Sequence, residues 1–260
     1  MLKGKVALIT GSTSGIGLAT AHVLAEHGVN IVLHGLLDDE AGRQLAEQFN
    51  QQYQINTLFN NADIRQPSAI ANLIEQTQQT LGDIDILVNN AGIQHTERVE
   101  HFPPNKWDDI IAINLSSAFH LIQQTLPMMS KNNWGRIINI ASVHGLVASK
   151  NKAAYCAAKH GLIGLTKVVA LENAELGITA NSICPGWVDT PLINHQIKEI
   201  AEQKQLTIEQ AKYDLITAKQ PLPEMMDPRQ IGEFIVFLCS DAARSITGAS
   251  LPMDGAWTAQ

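Results

Sequence analysis

The chain has 260 residues, 45% of them hydrophobic, and a formal net charge of −7. This length and hydrophobic content can bury one large α/β core or two small ones, and the acidic balance argues against nucleic acid or an anionic membrane as the main partner. No apolar run approaches a membrane span, and the first residues lead directly into a strand-like run, which leaves no room for a signal peptide. Cys156, Cys184 and Cys239 show no metal-ligand spacing and indicate free thiols in a reducing cytoplasm.

Apolar runs alternate with helical patterns along most of the chain. The predicted strands cover residues 6–10, 30–33, 57–59, 84–88, 137–140, 178–184 and 249–253. One predicted helix follows the first strand and includes Ile16, and another begins at Pro67. The remaining predicted helices cover 38–53, 107–129, 154–171 and 231–238. Strands that are apolar throughout, alternating with helices, predict a parallel sheet covered on both faces. No linker divides the chain, so we expect one domain over residues 1–260.

Residues 189–223 interrupt this alternation. The segment is polar and helical in pattern, and Thr207 with Gln210 fits a capping box. It follows a predicted strand, where active-site lids are found, so we expect a small helical lid over 189–223.

Ser142, Tyr155 and Lys159 form the first candidate catalytic group. On the predicted helix 154–171, Tyr155 and Lys159 lie one turn apart on the same face. Ionising a phenol near neutral pH needs about 4 kcal/mol, and one ammonium about 4 Å away supplies roughly that amount at an effective dielectric of 20. Lys159 alone is therefore expected to make Tyr155 a base, with the Ser142 hydroxyl holding a substrate oxygen. A surface Tyr–Lys pair is the ordinary alternative.

Two loops follow predicted strands and are rich in small residues. Residues 10–17 carry glycines at 11, 15 and 17 at a strand-to-helix turn, where a backbone can approach a pyrophosphate. Asn89-Asn90-Ala91-Gly92 follows the fourth strand and permits close approach of a ring or sugar. A plain tight turn and an ordinary loop are the alternatives. Asn114 is an unusual polar residue in a mostly apolar helix, and it either bonds a neighbouring carbonyl or kinks the helix.

In this order, together with Pro185-Gly186, these motifs resemble the short-chain dehydrogenase/reductase family across nearly the whole chain. The resemblance implies a single-domain Rossmann-type fold with a doubly wound parallel sheet. It also implies a catalytic tetrad of Asn114, Ser142, Tyr155 and Lys159, in which Asn114 holds the water of a proton relay and Lys159 bonds the nicotinamide ribose. The implied cofactor contacts are Gly11, Thr13, Gly15, Ile16, Gly17, Leu36, Asp63, Asn90, Gly92, Tyr155, Lys159, Pro185, Val188 and Thr190.

The end of the second strand bears on the choice of cofactor. An acidic residue there marks NAD and a nearby arginine admits the 2′-phosphate of NADP, but this chain has His34-Gly35-Leu36-Leu37. The glycine-rich turn also lacks Lys and Arg, so nothing in it would neutralise a phosphate. We expect NAD.

The substrate pocket is expected around Ser142 and Tyr155. A cation with neutral donors suits a small carboxylate, and the candidates are Gln94, His144, Lys152, Trp187 as a wall and Gln196 on the lid. This set, with Trp257, resembles the carboxylate pocket of bacterial D-3-hydroxybutyrate dehydrogenases. It implies reversible oxidation of a D-3-hydroxy acid to acetoacetate, a reaction of ketone-body metabolism. For Lys152 and Gln196, a solvated surface side chain is the alternative.

Other functions remain open. They are a 3-oxoacyl-carrier-protein reductase using NADPH, a sugar or polyol dehydrogenase, and a nucleotide-binding regulator without catalysis. The nine histidines are scattered and show no metal-binding spacing, so no metal is expected. The family resemblance also implies a homotetramer, for which an interface on the face of Leu162, Leu165 and Val169 competes with ordinary core packing.

Overall fold

A seven-stranded parallel sheet forms the centre of the protein in a computed structural model that describes residues 2–259. The strands are β1 (Val6–Ile9), β2 (Asn30–His34), β3 (Thr57–Asn60), β4 (Ile86–Asn89), β5 (Gly135–Ile140), β6 (Ile178–Pro185) and β7 (Ser250–Met253). Their order across the sheet is β3-β2-β1-β4-β5-β6-β7, and neighbours run parallel. The winding reverses between β1 and β4, so a crevice opens beyond the carboxyl ends of these two strands.

Helices cover both faces of the sheet. They are α1 (Gly15–Glu26), α2 (Asp39–Tyr53), α3 (Pro67–Leu81), α4 (Pro104–Ile111), α5 (Ser117–Lys131), α6 (Ala153–Asn173), α7 (Pro191–Lys204), α8 (Ile208–Thr217) and α9 (Pro228–Cys239). Within β1, Ile9 packs in a cluster with residues of α1 and α9, whereas Leu8 packs in another with residues of α3 and α5. Both faces are buried, which explains the strands that are apolar throughout. The predicted doubly wound, Rossmann-type α/β fold is confirmed; Met1 and Gln260 lie outside the described residues.

The predicted long helix at 107–129 contains an irregular turn. Between α4 and α5, residues Ala112–Ser116 form a π-helical turn with Asn114 buried at its centre. A π turn widens the helix locally and often occurs at functional sites. The chain is therefore helical throughout the predicted range, and Asn114 was a correct sign of the irregularity.

The segment 189–223 contains α7 and α8, which pack on each other through Ile197, Ala201 and Ala211. Thr207 caps α8 by accepting a hydrogen bond from the Gln210 N–H at 3.1 Å. The Gln210 side chain bonds Asp214 at 2.7 Å and does not return to the cap, so the capping box is half formed. The predicted helical insertion is present.

The three cysteines form no disulfide within residues 2–259. Burial raises the pKa of the Cys184 thiol to about 11 and that of Cys239 to about 12, so both remain protonated near neutral pH. None of the helices in the same range is both long enough and apolar enough to cross a membrane.

Candidate active site

A cleft of about 710 Å³ opens at the carboxyl ends of the strands. Its walls are the loops after β1, β2, β3, β4, β5 and β6, the start of α6 and the first turn of α7. Most of the predicted cofactor residues line it: Gly11, Thr13, Gly15, Ile16, Leu36, Asp63, Asn90, Gly92, Tyr155, Lys159, Pro185, Val188 and Thr190. Residues far apart in the sequence therefore meet at the predicted edge of the sheet.

The loop after β1 is built for close approach of a ligand. Gly11 and Gly15 have φ angles of +64° and +54°, which side-chain-bearing residues rarely adopt. Ser14, the N-cap of α1, makes no side-chain capping hydrogen bond. The N–H groups of the first turn of α1 therefore lack a side-chain cap, and the positive end of the helix dipole suits a phosphate there.

Asn90 and Gly17 support this loop from beneath. The Asn90 amide donates to the carbonyls of Thr10 at 2.8 Å and Gly11 at 3.1 Å. Gly17 is buried and does not line the cleft; a Cβ there would lie 2.3 Å from the Gly11 carbonyl oxygen. The missing side chain of Gly17 therefore makes room for the turn itself, and its direct contact with the cofactor stays a prediction.

The end of β2 shapes the far side of the cleft. The buried His34 ring accepts from the Gly11 N–H at 3.2 Å through Nδ1, and so donates through Nε2 to the Ala62 carbonyl at 2.9 Å. Burial lowers its pKa, which favours this neutral form. Leu36 is 86% exposed beside it. Arg65 also lines the cleft, where it pairs with Asp63 at 2.8 Å and Asp109 at 3.1 Å.

Ser142, Tyr155 and Lys159 meet at the centre of the cleft. Ser142 follows β5, while Tyr155 and Lys159 share one face of α6. The Lys159 ammonium lies 5.6 Å from the centre of the Tyr155 ring and donates to the Ile140 carbonyl at 2.7 Å. The predicted catalytic group is therefore assembled.

The protonation of this group differs from the prediction. Burial raises the pKa of Tyr155, and the hydrogen bond with Ser142 opposes this rise. Burial also lowers the pKa of Lys159 to about 8. The expectation that Lys159 alone ionises Tyr155 was therefore wrong, because desolvation opposes the charge on both groups.

Asn114 acts on the loop after β4. Its side chain accepts from the Ile93 N–H and donates to the Ile93 carbonyl, both at 2.9 Å. Asn114 is 2% exposed and does not line the cleft. Both polar ends of its amide are therefore engaged within the protein, the arrangement that the sequence left open as an alternative.

Beside Tyr155 lies a polar cluster of Gln94, His144 and Lys152. The Lys152 ammonium donates to the Gln94 side-chain oxygen at 3.4 Å, and the His144 ring packs edge-on against Tyr155 at 6.0 Å. Burial, assisted by the Lys152 charge, lowers the pKa of His144 to about 4. Burial also lowers the pKa of Lys152. The cluster thus presents one cation and a neutral imidazole to the cleft.

Two tryptophans close this end. The rings of Trp187 and Trp257 lie with centres 5.6 Å apart and planes tilted by 35°, and Trp257 also contacts His144 at 5.6 Å. Gln196 does not line the cleft; Leu192 and Ile193, earlier on α7, do so instead. Gln196 lies beyond the turn of α7 that reaches the cleft, so its contact with the substrate stays a prediction.

Comparisons with known proteins agree with this geometry. A protein-family model described as enoyl-(acyl carrier protein) reductase matches residues 11–258. A D-beta-hydroxybutyrate dehydrogenase of Cupriavidus necator is 50% identical over 260 residues and covers 100% of both chains. Another of that name from Rhizobium meliloti is 49% identical over 256 residues, which is 98% of this chain and 99% of the relative. The chain belongs to the short-chain dehydrogenase/reductase family.

Among solved structures, L-sorbose reductase of Gluconobacter frateurii, complexed with NADPH and L-sorbose, superposes with a TM-score of 0.93. It is 29% identical, over 98% of this chain and 96% of that chain. The chain is thus a short-chain oxidoreductase with the fold of a reductase that binds a nicotinamide cofactor.

The cleft fits such a cofactor. A Cβ at Gly11 would lie 3.0 Å from the Ala91 Cα, so the loops after β1 and β4 approach each other closely through small residues. Gly92 leaves the opposite side open toward Lys159, whose Nζ would be 3.7 Å from a Cβ there. Within residues 2–259, no cluster of three His, Cys, Asp or Glu is placed to hold a metal ion.

Three features of the cleft were not recognised from the sequence. They are the hydrogen bond of His34 to the glycine-rich turn, the ion pair between Arg65 after β3 and Asp109 on α4, and the contact between Trp187 and Trp257. The position of His34 at the end of β2 was the available signal, because residues at that strand end face the crevice.

Proposed function

We propose that the chain is an NAD-dependent D-3-hydroxybutyrate dehydrogenase that interconverts D-3-hydroxybutyrate and acetoacetate. The observation that carries this proposal is the Lys152–Gln94–His144 cluster directly beside Tyr155 and Ser142. A cation with neutral donors, next to a phenol and a hydroxyl, matches a molecule with a carboxylate close to a secondary alcohol. The identity of about half to two relatives of that name supports the same substrate.

Lys152 is the residue proposed to bind the substrate carboxylate. Its half-buried ammonium makes one long hydrogen bond, to Gln94 at 3.4 Å, so it retains donors for a ligand. Gln94 adds a neutral amide donor, and His144, held neutral by burial, has both ring nitrogens next to hydroxyl groups, of Ser149 at 2.9 Å and Ser142 at 3.4 Å. Trp187 and Trp257 would bound the short carbon chain, which limits the pocket to small acids.

Tyr155 is proposed to take the hydroxyl proton, with the Ser142 hydroxyl holding the same oxygen. A nicotinamide dinucleotide, when bound, accepts the hydride from the carbon that carries this oxygen. Lys159 would stabilise the phenolate and hold the ribose of the bound cofactor, and the irregular backbone around Asn114 would hold the relay water. Asn114 would do this indirectly, since its side chain is occupied by Ile93.

The preference for NAD over NADP rests on charge. Arg65, Lys152 and Lys159 are the Lys and Arg residues among the described residues that line the cleft. Arg65 is neutralised by Asp63 and Asp109, and the other two lie at the opposite end beside Tyr155. A 2′-phosphate near Leu36 would therefore meet no unpaired cation, whereas a ribose hydroxyl needs none.

The assembly is proposed to be a homotetramer in the cytoplasm. Leu162 and Val169, on the face for which an interface and core packing were both considered, are buried in the core, so core packing is the alternative that holds. Phe119 on α5 with Val168 and Leu171 on α6 are instead 45%, 49% and 84% exposed, which suits burial by another subunit. The free thiols suit a reducing compartment. Light scattering after gel filtration tests the tetramer; a monomeric mass contradicts it.

Initial rates of NADH formation test the proposed function. The substrates are D-3-hydroxybutyrate, its L enantiomer and a neutral polyol, each measured with NAD and with NADP. D-3-hydroxybutyrate with NAD should give the highest kcat/KM of these pairs. Preference for NADPH and a 3-oxoacyl thioester, or for the polyol, would contradict it. Cofactor binding without turnover of any substrate would support the catalytically silent alternative.

A further inference from the structure

A second hollow, of about 350 Å³, lies at the amino ends of the strands, opposite the active-site cleft at their carboxyl ends. It is formed where β5 and β6 begin, together with the loop that leads from α9 to β7. The polar residues around it are Arg136, Thr179, Arg244, Ser245 and Thr247. Among the described residues that line it, none is acidic, although the whole chain carries a net charge of −7. The hollow is therefore a locally cationic place on an acidic protein.

Arg136 is the fixed part of this hollow. It is 3% exposed, and its guanidinium lies 4.5 Å from the centre of the Trp134 ring. Its Nη1 donates to the carbonyls of Gly135 at 2.8 Å and Gly177 at 3.1 Å, whereas its Nε has no hydrogen-bond partner. A buried guanidinium with a donor unused and no carboxylate in contact is costly unless an anion approaches it.

The charges around Arg136 do not supply that anion. Burial lowers its pKa, and Asp241 and Cys239 act on it only through space. The Cys239 thiol is neutral, since burial raises its pKa to about 12. Asp241 is exposed and does not line the hollow. The second cation, Arg244, is exposed on the rim and forms no ion pair within residues 2–259.

Hydroxyl groups complete the polar lining. The Thr179 hydroxyl is buried and has no hydrogen-bond partner. Thr247 accepts from the Ala180 N–H at 3.1 Å, so its own hydroxyl proton remains available to an acceptor. Ser245 lies beside it at the rim. Two guanidiniums with three hydroxyls and no carboxylate are the donor set that a small oxyanion requires.

We propose that this hollow is a binding site for a small free oxyanion, a phosphate or a short polycarboxylate, held between Arg136 and Arg244. The anion compensates the desolvation of Arg136. It binds only where β5, β6 and the loop before β7 are in place, so it stabilises the folded state by mass action. The hollow and the active-site cleft share no lining residue, so the anion does not occupy the cofactor site.

Titration of the full-length protein with inorganic phosphate tests the proposal, by calorimetry and by thermal unfolding at ionic strength held constant with sodium chloride. The variants are R244Q and S245D, which remove a donor or add a repelling carboxylate at the exposed rim and leave Arg136 intact. The matched control is R43Q, an exposed arginine on α2 that pairs with Glu40. Citrate, in a parallel titration, distinguishes a carboxylate ligand from phosphate.

We expect saturable binding by the wild type and R43Q, with an increase in Tm, and affinity at least about tenfold weaker in R244Q and S245D. The stronger of phosphate and citrate identifies the ligand chemistry. Affinity unchanged in both rim variants would overturn the proposal, since the anion would then bind elsewhere, for example at the Gly11 turn. A Tm increase without saturation, equal in all variants, would show general salt exclusion and would also overturn it.

Discussion

Replacement of Lys152 by methionine tests the proposed carboxylate site. The change keeps a side chain of similar length and removes the ammonium beside Gln94 and His144. A charge-assisted hydrogen bond in a half-buried position contributes about 2–3 kcal/mol, so kcat/KM for D-3-hydroxybutyrate should fall roughly 30- to 150-fold. A single ion pair about 4 Å long at an effective dielectric of 20 sets an upper bound of about 4 kcal/mol.

The assay is the initial rate of NADH formation, with the acid and with its methyl ester as substrates. KM for the acid should carry most of the loss, because Lys152 binds the carboxylate and not the reacting hydroxyl. The kcat/KM for the ester, which has no charge, should change little. Lys150 is exposed in the same loop, and K150M serves as the matched control. An equal loss with acid and ester, or no loss with the acid, would refute the assignment of Lys152.

Three further predictions concern the same cleft. Y155F should lower kcat at least about a hundredfold while NAD affinity, measured by fluorescence, is retained; substantial turnover would exclude Tyr155 as the proton acceptor. Burial lowers the pKa of His144 from its usual 6.5 to about 4 in the folded state. Acidification from pH 6.5 to 4 should therefore lower the free energy of unfolding of the wild type by about 3 kcal/mol more than that of H144Q, as measured by urea unfolding. An equal dependence of stability on pH in both proteins would contradict this. G17A should lower Tm and weaken NAD binding, because its Cβ would lie 2.3 Å from the Gly11 carbonyl oxygen. G164A is the control, since a Cβ at Gly164 would meet no atom within 4 Å. Equal effects of the two substitutions would argue against the tight turn.

Much of the fold could be predicted because its signals are local. Strands buried on both faces are apolar throughout, and the loops after β1 and β4 carry small residues because ligands bind at that edge of a parallel sheet. The same logic predicts that Ser142, Tyr155 and Lys159 lie together. Their spacing on β5 and α6 is a local property, so the sequence alone predicts it.

The errors and the open alternatives involve effects that depend on three-dimensional surroundings. The protonation of Tyr155 and Lys159 depends on how deeply each is buried, which spacing on a helix does not reveal. The apolar face of α6 was left open between core and interface, because periodicity does not distinguish the two. The position of Gln196 depends on how far α7 reaches over the cleft, and an Arg65–Asp109 pair joins residues 44 apart in the chain.

The most direct test of the central claim is the initial rate of NADH formation with D-3-hydroxybutyrate and NAD, measured beside the L enantiomer and beside NADP. The account predicts strong turnover for the D enantiomer with NAD, and much lower kcat/KM when either the enantiomer or the cofactor is changed. If NAD binds but neither enantiomer is oxidised with either cofactor, the substrate assignment is contradicted, and the chain remains a short-chain oxidoreductase with a different substrate.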